Sequence, residues 1–150
     1  MSQDGVGAGL PFVAGLPFVD EHAVTVDAPR DLVWTALRSY AATSIGVPGG
    51  HPLALVLGPV PRSGFGIAET VPGTRLVLAG RHRFSRYALV FELDGAGPDS
   101  TVLRARTYAA FPGVRGKAYR ALVIGTGAHV LATNHMLRSV RRLAVQAISP

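Results

Sequence analysis

Apolar and polar positions in the first two thirds of this chain fall in short alternating runs. His22, Val24 and Val26 alternate with Ala23, Thr25 and Asp27, the two-residue period of a strand. Pro29 at a helix-start position and Asp31 in the following turn mark a helix beginning. Leu32, Val33, Ala36 and Leu37 then form one apolar stripe, so residues 29–40 are predicted to be helical. The stretch "GVPGGHP" breaks the chain, and residues 52–57 could be either loop or strand. From residue 64, "GFGIAETV", "TRLVLAGRHRF", "RYALVFEL" and "STVLRARTYAAF" predict four further strands. Their links are of hairpin length, so an antiparallel meander is expected. Residues 115–147 contain no proline and are predicted to be one long helix. Gly125 and Gly127 would each cost that helix about 1 kcal/mol and could mark a kink. Arg138, Arg141 and Arg142 suit the negative end of its dipole.

The 150 residues fit a single domain, and 48% hydrophobic content is enough for a sizeable core. "AGLPFV" occurs twice in tandem, at 8–13 and 14–19, among helix- and strand-breaking residues. Residues 1–20 are therefore read as a flexible or docked N-terminal arm, and residues 21–150 as the domain proper. No apolar run is long enough for a transmembrane segment. The opening residues lack the basic region of a secretory signal, so a cytoplasmic location is expected.

The absence of cysteine excludes disulfides, thiolate nucleophiles and cysteine-ligated zinc. Net charge is +6, and Lys117 is the only lysine among fifteen basic residues. No aromatic-interleaved basic motif accompanies that charge, so nucleic acid is not expected as a partner. No HExxH pair, phosphate-binding glycine loop or GxSxG elbow is present, and neither a metal nor a cofactor is expected.

The order of strand, helix, broken linker, antiparallel strands and long terminal helix resembles the START/Bet v 1-like helix-grip superfamily. This group is also called SRPBCC or polyketide cyclase-like. "HAVTVDAPRDLVWTAL", "GIAETVPGTRLVLAGRHRFSRYALVFEL" and "FPGVRGKAYRALVIGTGAHVLATNHMLRSVRRLA" carry the likeness, over about residues 20–147. The resemblance implies an α+β fold in which a curved antiparallel sheet wraps a long C-terminal helix. It also implies a cavity between the two for an apolar ligand.

At about 100° per residue, Tyr119, Leu122, Thr126, His129, Thr133, Met136, Leu137 and Val140 share the inward face of the terminal helix. His135, Arg138 and Arg142 lie on the opposite face, so His129 and His135 cannot share a ligand. Thr126 and Thr133 bracket His129. They could satisfy its ring in a core, or form with it a polar stripe that orients a ligand. Strand alternation adds His82, Tyr87, Phe91 and Thr107 to the inward set, with Glu69 as the one acid inside. Trp34 on the first helix is either core or a wall of the pocket mouth.

The expected function is binding of a small hydrophobic or aromatic molecule in this cavity. An alternative is a cofactor-free enzyme of the cyclase, dehydratase or isomerase type. There His129 would be the general acid or base, helped by Tyr87 and Glu69. A basic-face module for nucleic acid or anionic lipid is a further alternative, and homodimerisation is left open.

Overall fold

In the computed structural model, residues 15–43, 66–82, 85–123 and 127–148 are described. The first "AGLPFV" copy, the 52–57 segment and Thr126 lie outside them, as do the side chains of His82 and Tyr119. Strand β1 spans Phe18–Val26 and helix α1 spans Arg30–Thr43. Strands β2 (Gly66–Val71), β3 (Arg75–His82), β4 (Ser85–Gly97) and β5 (Ser100–Ala110) follow. The remaining described helices are α2 (Gly113–Val123) and α3 (Ala128–Gln146).

All strand pairs are antiparallel, in the order β1-β5-β4-β3-β2. The meander β2 to β5 follows from its turns: Gly73 at φ 74 supplies the left-handed residue between β2 and β3. The first strand then closes on β5. Thr101 Oγ1 donates to the Ala28 carbonyl at 2.9 Å and ties the β1–α1 link to the sheet. This is the α+β helix-grip architecture expected from the resemblance.

Helices α1 and α3 pack on each other and on one face of the sheet. The core between them joins Val26, Val33, Leu37, Leu76, Phe91, Leu103, Leu137 and Val140. The register Leu76–Phe91–Ala105 puts three of the inward residues side by side on that face. Trp34 and Met136 are half-buried against the same cluster. The other face alternates with it. There Arg104 binds Glu21 at 2.7 Å and Asp94 at 3.4 Å, and Arg106 bridges Glu21 and Glu92. These are cross-strand neighbours of opposite sign, and the same face carries a second buried cluster of Val77, Ala88, Val90 and Tyr108.

Two expectations change. The single helix over 115–147 is instead two helical segments, because Gly127 has φ 76. A left-handed residue cannot sit inside a right-handed helix, so α3 starts afresh after it. The arginines Arg138, Arg141 and Arg142 also precede the last turn of α3, which ends at Gln146, so they do not cap its dipole.

The second change concerns Glu69, which is not inside. Register shifts between Ile67, opposite Leu78, and Glu69, opposite Val77. The extra residue reverses strand parity and turns Glu69 to the outer face, opposite Val77. There it accepts from Arg75 Nε at 3.0 Å.

Candidate ligand site

The N-terminal end of β1 contains a second bulge. Phe18 stands opposite Tyr108, but Asp20 stands opposite Thr107, so one extra residue separates them. Two residues apart in a regular strand, Phe18 and Asp20 would share a face. The bulge parts them. Phe18 meets the Tyr108 ring edge-on on the outer face, with centroids 5.7 Å apart. Asp20 turns toward the helices.

There the Asp20 carboxylate lies between two imidazoles. Its Oδ1 is 3.0 Å from His129 Nε2, and its Oδ2 is 3.0 Å from His22 Nε2. A carboxylate only accepts, so each ring donates through Nε2–H, and a neutral ring keeps its lone pair on Nδ1. Burial works to raise the Asp20 carboxyl, but hydrogen bonds from His129 and His22 and their charge attraction outweigh it. The carboxyl is held below its ordinary value near 3.8. With 16% of its side chain exposed, His129 is largely covered but still reaches solvent.

The threonines behave differently from the bracket read in the sequence. The buried Thr133 hydroxyl donates to the His129 backbone carbonyl at 2.9 Å, not to its ring. A helical threonine reaches the carbonyl one turn back more readily than a neighbouring side chain. Asp20, from the far end of the chain, supplies the ring's partner instead.

Thr107 is the other unusual group. It is buried at 7% exposure, yet its hydroxyl has no hydrogen-bond partner among the described residues. Leaving a buried hydroxyl unpaired costs about 1–3 kcal/mol. On β5 it stands between Asp20 of β1 and Leu89 of β4. Tyr87, half-buried, has the same parity one step further along, opposite Ala109. On β4 and β5 the inward face thus changes from apolar at Phe91 and Ala105 to polar at Thr107, next to Asp20 and His129, while on β1 the polar stretch extends to His22 opposite Ala105.

Of the residues read from the sequence, His129, Thr133 and Thr107 are brought to this end of the sheet. Phe91 is fully buried core, and Trp34 and Met136 border that core. His135 is exposed, on the far side of α3 from His129. Asp20 and the pairing role of His22 were missed. The signal available was the Asp-x-His spacing at 20–22, masked because strand alternation becomes regular only after it. Among the described residues no cluster of histidines and acids has the arrangement to hold a metal ion.

No family model matches the chain. A dTTP/UTP pyrophosphatase from Symbiobacterium thermophilum is 51% identical over 51 residues, which are 33% of this chain. The match spans only 24% of that enzyme's length. A conserved protein from Geobacillus kaustophilus has a similar structure, with TM-score 0.58 and 13% identity over 85% of this chain and 95% of its own. The Zhui aromatase/cyclase from Streptomyces sp. R1128 gives TM-score 0.54 and 18% identity over 89% and 96%. The di-domain ARO/CYC BexL of the BE-7585A biosynthetic pathway gives 0.57 and 12% over 87% of this chain and 47% of its own. The chain therefore shares the helix-grip fold of these proteins, two aromatase/cyclases among them.

Proposed function

We propose that the chain binds a small hydrophobic or aromatic molecule between the sheet and α3, with the ligand's polar group at Thr107 and His129. The observation that carries this reading is the buried, unpartnered Thr107 hydroxyl beside the Asp20–His129 pair. A carbonyl or phenol reaching Thr107 would satisfy the hydroxyl, while the neighbouring apolar surface takes the ligand body.

The test compares 2-naphthol with naphthalene by isothermal titration. Wild-type protein is expected to prefer 2-naphthol, and Thr107→Val to lose about tenfold of that affinity, ~1.4 kcal/mol. Naphthalene affinity should stay as it was. Equal losses for both probes, or none for either, would remove Thr107 as the polar contact.

The His129–Asp20 pair supports a second reading, an enzyme of the aromatase/cyclase type, the activity named for two proteins of similar fold. Asp20 fixes the imidazole through Nε2–H and leaves Nδ1 as the ring's accepting nitrogen, the role of an orienting acid beside a general base. Under this reading His129→Leu lowers kcat by about 10²–10⁴-fold with little change in binding. Under the binding reading it weakens 2-naphthol and there is no turnover to lose. The third alternative has less support, since Arg75, Arg104 and Arg106 on the outer sheet face are already paired with acids.

A further inference from the structure

The geometry points to a second binding site, for a small amphipathic anion, in a groove where β5 runs out into α2. The anion would carry a carboxylate or phosphate on an apolar body. The groove encloses about 400 Å³. Phe18, Phe111 and Pro112 give it an apolar floor, and Arg86, Lys117 and Arg120 stand around it. Arg86 enters from β4, where it pairs with Ala110. Lys117 and Arg120 are three residues apart on α2, so they face the same way.

Charge selects the ligand's sign. No acid lines the groove, and none of the three cations has an ion-pair partner among the described residues. That contrasts with the outer sheet face, where arginines and glutamates neutralise one another. Three uncompensated cations around one cleft raise the local concentration of anions. The floor adds a second requirement. Phe18 keeps 42% of its surface exposed despite its contact with Tyr108, so there is apolar area for a ligand to cover. Bare phosphate would forgo that area, and a neutral alcohol would forgo the charge. The groove takes in Phe18 but not Asp20, which the β1 bulge sends to the opposite face, so this site stands independently of the proposed function.

Lys117 is the only lysine in the chain, so amine acetylation reads the groove at one side chain. Limited reaction with acetic anhydride, followed by mass spectrometry of the Lys117 peptide, is run with four probes below their micelle concentrations. Decyl phosphate and decanoate are expected to slow acetylation of Lys117 several-fold, with protection fading as salt rises. Decanol and inorganic phosphate at equal concentration should not protect. Protection by only one of the two amphipathic anions supports the site and identifies its head group.

Arg86→Ala and Arg120→Ala should each weaken protection by about two- to fivefold, and Arg86→Glu/Arg120→Glu should abolish it. Thr107→Val should keep it. The Arg86 and Arg120 variants replace side chains outside the main core, and unchanged melting curves for them confirm the fold. The proposal fails if decanol protects as well as decyl phosphate, or if the double glutamate variant still protects. It also fails if neither monomeric decyl phosphate nor decanoate protects Lys117, whether or not the protein binds phosphatidylglycerol vesicles.

Discussion

Asp20 shows what a linear reading of polar residues misses. It lies at the end of the segment that composition marks as an arm, and nothing in its immediate sequence requires it to be strand. Its partner His129 is 109 residues away, a separation at which no periodicity argument operates. His129 itself was legible, because its helix face could be computed, but its partner was not. The pairing carries a pH consequence. Because the folded Asp20 carboxyl sits below its ordinary value near 3.8, it contributes stability at higher pH. That contribution is lost as pH falls through the lower, folded value. Urea denaturation between pH 7 and pH 2 should therefore show wild-type stability falling on the acid side. Asp20→Asn should flatten that limb and cost about 1–2 kcal/mol at pH 7, where two imidazole donors lose a charged acceptor. An identical acid limb in the variant would mean that the carboxylate does not hold the two rings in solution. His135→Ala is the surface control: it should leave both stability and 2-naphthol affinity unchanged, since His135 faces solvent.

At the level of elements, hydrophobic period gave the five strands and helix α1 in order, with some ends three or four residues short, but it carries no information about where parity resets. One bulge lies in a strand whose pattern looked regular and the other in the segment read as an arm, and both displaced an acid: Glu69 outward, Asp20 inward. The C-terminal helix failed for a related reason. Apolar spacing continues through Gly125 and Gly127, and only backbone conformation shows that Gly127 interrupts it. Gly127→Ala separates the two descriptions by sign. In a continuous helix, alanine would stabilise by about 0.4–1 kcal/mol through the unfolded chain. At φ 76 it should instead destabilise by about 1 kcal/mol, since a Cβ strains a left-handed residue. Nothing lies within 4 Å of that Cβ, so the cost is backbone strain rather than a clash. Circular dichroism melts of the two proteins decide it, and a higher midpoint for the variant would make the break an error.

Taken whole, the molecule divides its inward face between a dry half and a polar half. On β4 and β5 the boundary falls within a single step of strand register. Phe91 opposite Ala105 is sealed between the sheet and the helices. The next inward pair, Leu89 opposite Thr107, brings in the unpartnered hydroxyl and its neighbour Asp20. Stability and function should therefore separate across that step. Phe91→Ala opens a cavity in close-packed core and should cost about 3–5 kcal/mol. Thr107→Val keeps the side chain's shape and removes a buried group with no partner, so it should be neutral or stabilise by up to about 1 kcal/mol. A fold under no demand but stability would favour valine there. A gain in melting temperature for Thr107→Val, together with its loss of 2-naphthol affinity, would identify the hydroxyl as retained for a ligand at the expense of the fold. Destabilisation of 2 kcal/mol or more would mean that the hydroxyl has a partner in the folded protein, and Thr107 would then belong to the core.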